Sequence, residues 1–243
     1  MFTGCVKSAS DVNLVAFVRL FSSVSAQAII SGALECWSRG HRTTAAEYAK
    51  SHLPVMLRQQ LQRYEKQKEN SALTRTTCLV ALLSEKELTV ANVGDSRAVL
   101  CDKDGNAVPL SHDHKPYQLK ERKRIKKAGG FISFNGSWRV QGVLAMSRSL
   151  GDYPLKNLNV LIPDPDVLTF DLDKLEPQFM ILASDGLWDA FSNEEAVHFI
   201  KERLDEPHFG AKSIVLQSFY RGCPDNITVM VVKFKKRGSK AAG

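Results

Sequence analysis

At 243 residues, 44% apolar and 24% charged, the chain has the make-up of an ordinary soluble globular protein, with length for one sizeable core and little left for a second full domain. A net charge of +7 and a pI near 9.2 favour acidic or phosphorylated partners and permit nucleic acid, without setting a fold. The five cysteines are odd in number, scattered and never spaced Cys-x-x-Cys, which argues against a disulfide framework or a zinc site and suggests a reducing, cytosol-like compartment.

Along the chain, the first 43 residues carry no chemical motif. Leu14, Phe17, Val18 and Phe21 recur at helical spacing and predict an amphipathic helix. This stretch is interrupted by Arg19 and falls short of the roughly 20 residues a membrane helix needs, leaving a signal peptide or an interfacial helix as its alternatives. Thr44-Ala-Ala-Glu47 reads as a capping box opening a helix with Leu53, Leu57, Leu61 and Tyr64 on one face and a kink at Pro54.

Residues 77–83, 88–93 and 97–101 read as strands, with a tight acid-bearing turn, Gly94-Asp95-Ser96-Arg97, between the second and third. Asp104-Gly105 turns the chain into a short strand near Val108. Residues 119–127 predict a basic helix closed by Gly129-Gly130; no aromatics alternate with its charges, so it reads as a solvated face and not as a nucleic-acid platform. A hairpin follows at residues 131–140 around Asn135-Gly136, and a strand at 167–170. The run Phe179-Met-Ile-Leu-Ala183 is unbroken and apolar, as in a strand buried on both faces, and it delivers Asp185, Gly186 and Asp189. Ser192-Asn-Glu-Glu195 is a second capping box; helices over 193–204 and 210–220 and a strand over 227–234 complete the pattern. Short strands interspersed with paired helices predict an α+β fold in layers.

Asp185 follows a buried strand, Asp225 precedes one, and Asp95 sits in a turn between two. Strand ends gather in space, and carboxylates sharing a site repel unless a cation neutralises them. All-oxygen ligation without His or Cys selects Mg²⁺ or Mn²⁺. Three separate turns would explain the same acids equally well.

Six segments together break this tie: residues 89–97, Asp113-His114-Lys115-Pro116, Ala128-Gly129-Gly130, residues 144–152, Ser184-Asp185-Gly186-Leu187-Trp188-Asp189 and residues 225–229. In this order the chain resembles the PPM-type (type 2C) metal-dependent serine/threonine protein phosphatases over about four-fifths of its length. The resemblance implies a two-sheet antiparallel β-sandwich flanked by helices, with a two-metal Mg²⁺ or Mn²⁺ site at its mouth. It makes Asp185 and Asp225 ligands of the first metal, and Asp95 and Asp189 ligands or water-held neighbours of a weaker third. Asp113, His114 and Lys115 would lead into the substrate-side flap, and Arg148 and Asp152 would be structural. The implied partners are phosphoproteins, protein kinases of stress-signalling cascades among them, for a monomer facing the cytosol.

The family's first motif, Asp-Gly-His-Gly-Gly, has no match before Thr44. Anchored on residues 44–48, its aspartate falls at Ser38 and its general-acid histidine at Gly40, so His41 is out of register. The Glu-Asp pair of the second metal, the phosphate-binding arginine and a helical stretch between Leu73 and Thr76 are also unmatched. The expected organisation is a divergent segment over 1–43, an incomplete phosphatase domain over 44–236 that misses its first strands and exposes sheet edges, and a basic tail over 237–243, as an alternative transcript or incomplete gene model would produce. Two functions follow: a phosphatase using metal-activated water, or a catalytically impaired phosphatase-like binding module.

Overall fold

The computed structural model describes residues 4–9, 14–20, 75–84 and 86–234. The helix expected from the Thr44 capping box, its Pro54 kink and the basic tail lie outside them. The architecture is two stacked sheets with helices against one of them. The first sheet runs β1 (Gly4–Ala9), β12 (Val229–Phe234), β11 (Phe179–Ala183), β5 (Arg97–Cys101), β6 (Ala107–Pro109). The second runs β10 (Asp166–Asp171), β4 (Glu87–Val93), β3 (Arg75–Leu83), β2 (Leu14–Leu20), with the short β9 (Leu150–Gly151) pairing the start of β3. All pairs are antiparallel except β1 with β12.

Alternation sorts the side chains. Leu79 and Ala81 of β3, Leu88 and Val90 of β4, Ala98 and Leu100 of β5, and Met180 and Leu182 of β11 meet between the sheets. The intervening residues of the first sheet (Val99, Phe179, Ile181, Val229, Val231) turn outward onto the helices. All five residues of β11 are therefore buried, as the unbroken apolar run predicts. The helices covering it are α4 (Asp185–Trp188), α5 (Asn193–Lys201) and α6 (Ala211–Tyr220), which contribute Leu187, Val197, Ile200 and Ile214 to the same cluster. The start of α5 is the predicted capping box: Ser192 Oγ accepts from the Glu195 amide at 3.2 Å, and Glu195 Oε2 accepts from the Ser192 amide at 2.8 Å.

Outside the sandwich, α1 (Leu119–Lys127) and the hairpin β7 (Ile132–Asn135)–β8 (Ser137–Val140) form a subdomain on their own small core of Ile125, Val140, Leu144, Val160 and Leu161. Gly129 and Gly130 close α1 through bonds to the Lys126 and Ile125 carbonyls. Two further short helices, α2 (Tyr153–Lys156) and α3 (Leu172–Leu175), carry no sequence signal long enough to predict them.

The N-terminal expectation is corrected. Residues 14–20 form strand β2, not an amphipathic helix, in antiparallel register with β3 from Leu14↔Leu83 to Leu20↔Thr77. Leu-Val-Ala-Phe-Val is continuous and β-branched as well as i, i+3, i+4 apolar; an open edge of β3 decides between the two periods. The edges expected to be bare are likewise paired, that of β3 by β2 and that of β12 by β1. Among the described residues no helix is long and apolar enough to cross a membrane.

Candidate functional site

Strand register brings the acids together. In the β5–β11 ladder Arg97 faces Ala183, and two residues further along each strand stand Asp95 and Asp185. In the β11–β12 ladder Ala183 faces Val229, and pairing continues past the strand ends: the Ser184 amide donates to the Thr228 carbonyl at 3.0 Å, the Thr228 amide to Ser184 Oγ at 3.0 Å, and Ser184 Oγ to the Asn226 carbonyl at 3.2 Å. This ties the start of α4 to the segment carrying Asp225. Close approach here requires Gly186, because a Cβ at that position would stand 2.6 Å from the Asn226 carbonyl oxygen. Asp189 caps α4 one turn beyond Asp185, on the same side of the helix.

Electrostatics show that these four carboxylates feel one another. Burial first, then Asp95 and Asp225, push the Asp185 carboxyl up to about 6; Asp189 adds to the rise and Lys115 opposes it. Asp189 is also raised, by burial and by Asp95, Asp225 and Asp113, again against Lys115. Asp95 is only 4% exposed and already has a cationic partner, with Lys115 Nζ 2.6 Å from its Oδ2.

Asp113, His114 and Lys115 are brought together with the turn that carries Asp95. Arg97 grips Asp113 with both ends of its fork, Nε to Oδ1 at 2.8 Å and Nη2 to Oδ2 at 2.7 Å, while its Nη1 donates to Asn193 Oδ1 at 2.8 Å and its guanidinium lies 5.1 Å from the Trp188 ring centre. The buried His114 holds Gly94 at two points: its amide donates to the Gly94 carbonyl at 2.8 Å, and its Nδ1 accepts from the Gly94 amide at 3.0 Å. The three residues thus bracket the turn at residues 94–97.

Behind this bracket Arg148, expected to be structural, stands in a network whose two acids, Glu121 and Asp166, lie outside the motifs. Arg148 Nη2 donates to Glu121 Oε1 at 2.6 Å, its Nε to Glu121 Oε2 at 3.1 Å and its Nη1 to Asp166 Oδ1 at 3.0 Å. Asp166 Oδ2 lies 3.3 Å from His114 Nε2. Burial alone would raise the Glu121 carboxyl; Arg148, Ser147 and Arg124 bring it down to about 2. His114, Lys120 and Arg148 hold Asp166 well below the usual carboxylate range against its burial. The signal for Glu121 was present: it is the one acid in the run 119–127, four residues before Ile125 and on that buried side. Arg97 ends the motif at residues 89–97, but its forked grip on Asp113 depends on a fold that motif spacing does not show.

In type and charge the acids suit a hard divalent cation: oxygen donors, with the Asp185 carboxyl raised by burial and by like-charged neighbours. In distance, among the described residues, no three His, Cys, Asp or Glu side chains stand close enough together to hold a metal ion. Among the described residues, the cation that stands against Asp95 is the Lys115 ammonium.

Known proteins resemble the chain in sequence and in shape. "Protein phosphatase 1L" of Bos taurus is 76% identical over an alignment covering 79% of this chain and 61% of the relative. "Probable protein phosphatase 2C 59" of Arabidopsis thaliana is 50% identical, covering 65% and 50%. The chain thus spans between half and about three-fifths of the length of these relatives. Among solved structures, a serine-threonine phosphatase 2C from Toxoplasma gondii superposes with a TM-score of 0.73 at 23% identity over 93% of this chain and 86% of the other, and a C. elegans sex determining protein with 0.75 at 21% identity over 90% and 55%. At such identities these two show a shared fold. The protein phosphatase 2C profile matches residues 46–227, three-quarters of the chain. With the sandwich and its converging acids in place, that match identifies the chain as a member of the protein phosphatase 2C family.

Proposed function

We propose that this chain is a protein serine/threonine phosphatase that hydrolyses phosphoserine and phosphothreonine in proteins. The observation that carries the reading is the mutual field of Asp95, Asp185, Asp189 and Asp225 at one end of the sandwich. Asp185 and Asp225 would hold the first Mg²⁺ or Mn²⁺, and Asp95 and Asp189 a weaker one. Such an ion, when bound, supplies an activated water and polarises the phosphoryl oxygen. The chain's own residues do the rest. Gly186 lets the two ligand segments approach, the residue 113–115 bracket positions Asp95, and the Arg97–Asp113 pair joins that turn to α5. Water adds to phosphorus as the serine or threonine alkoxide leaves and takes a proton. Phosphoproteins, stress-signalling kinases among them, are the proposed substrates.

The test is aryl-phosphate hydrolysis in Mn²⁺ by the intact chain beside Asp185→Asn. A wild-type rate about 100-fold or more above the variant's is expected when a metal ligand is lost. Equal trace rates would replace this reading by that of a phosphatase-like binding module.

A further inference from the structure

The two residues before Lys115 are both held in place. Asp113 is locked by the Arg97 fork, and His114 is bonded to Gly94 through amide and ring. The Lys115 backbone cannot leave the turn, so the side chain alone decides where the ammonium sits. That ammonium lies 2.6 Å from Asp95 and within the fields of Asp113, Asp185 and Asp189. Burial works against the charge, yet Asp95, Asp113 and Asp185 raise the Lys115 pKa above its ordinary value. The side chain is nonetheless 23% exposed, and a lysine offers a point charge on a flexible stem, free to retreat to water in a way that the doubly gripped Arg97 is not.

We propose that Lys115 is a tethered cation, the acid cluster's own counter-ion, and that it competes with a divalent ion for Asp95. It accounts for the buried Asp95 carboxylate standing in the field of the other acids with an ammonium 2.6 Å from its oxygen. A divalent ion arriving at Asp95 must displace the ammonium, so occupancy at this position is set weak by design of the chain, while Asp185 and Asp225 remain free to bind more tightly. The inference rests on reading these acids as a divalent-ion site, and it is read by binding, so it stands or falls separately from turnover.

The experiment follows free Mn²⁺ by electron paramagnetic resonance as Mn²⁺ is titrated into the intact wild-type chain, Lys115→Met, Lys115→Arg and the double variant Lys115→Met/Asp95→Asn. Removing one like charge from the site is expected to tighten Mn²⁺ binding about tenfold in Lys115→Met. Lys115→Arg should bind as the wild type does, and the double variant should lose the gain. Lys115→Met binding no tighter than wild type, including no binding by either, overturns the proposal, as does a gain that survives in the double variant. Should Lys115→Met be partly unfolded without metal, its melting temperature supplies the reading. Mn²⁺ should raise it more than it raises the wild type's, and an equal or smaller rise overturns the proposal.

Discussion

Gly94 makes the turn that carries Asp95 possible. Its φ of +109° lies where side-chain-bearing residues are strained, and a Cβ there would collide with the Thr77 side chain. Gly94→Ala should therefore cost about 2–4 kcal/mol in urea unfolding, from backbone strain and overpacking together. Asp185 behaves in the opposite sense. Its carboxyl is pushed up to about 6, so at neutral pH the fold holds a charge it disfavours. Without metal, Asp185→Asn should stabilise by about 1–2 kcal/mol, seen as a higher melting temperature in chelator. With Mn²⁺ the wild type should gain on the variant, because only the wild type keeps the ligand. The acids themselves were legible in the sequence, since each flanks a strand-length apolar run. Lys115 was legible only as part of a motif: no spacing rule shows that its ammonium reaches Asp95, a contact that depends on how residues 113–115 lie across the turn.

Among the elements, β11 was the plainest in the sequence, and burial on both faces explains why. Ile181→Ala should cost about 3–4 kcal/mol, since the Ile181 side chain lies fully buried between sheet and helices. Helix α1 was legible in extent but not in role. Its basic run reads as a solvated face, and Lys123, Lys126 and Lys127 are exposed, yet Glu121 on its inner side anchors Arg148. The depressed Glu121 carboxyl sets an acid limit. Its folded pKa of about 2 lies below the unfolded value, so its contribution is complete above about pH 4.5 and disappears as pH falls towards 2. Glu121→Gln should flatten the fall in stability over that window, measured by urea unfolding at stepped pH. At neutral pH the same variant should cost about 2–3 kcal/mol, because it leaves Arg148 short of a buried charge partner. Strand β2 is not legible from the sequence because five consecutive apolar residues satisfy both periods, and only the partner strand chooses between them.

For the whole molecule, fold class followed from many short strands with paired helices between them, while strand order did not. β5 lies beside β11, about eighty residues away in the chain, and that adjacency places Asp95 level with Asp185. Composition and periodicity say nothing of such neighbours; the family resemblance implied them, and the β5–β11 and β11–β12 registers are where the acids' convergence can be seen. On the proposed function, Asp185 and Asp225, joined through the Ser184–Thr228 and Ser184–Asn226 bonds, share a divalent ion at that end of the sandwich. Anomalous diffraction from crystals grown in Mn²⁺ tests it most directly. A manganese peak is expected within ligand distance of both carboxylates, about 2.0–2.3 Å from an oxygen of each. A fully loaded crystal with no peak there, or with manganese bound only elsewhere, would contradict it.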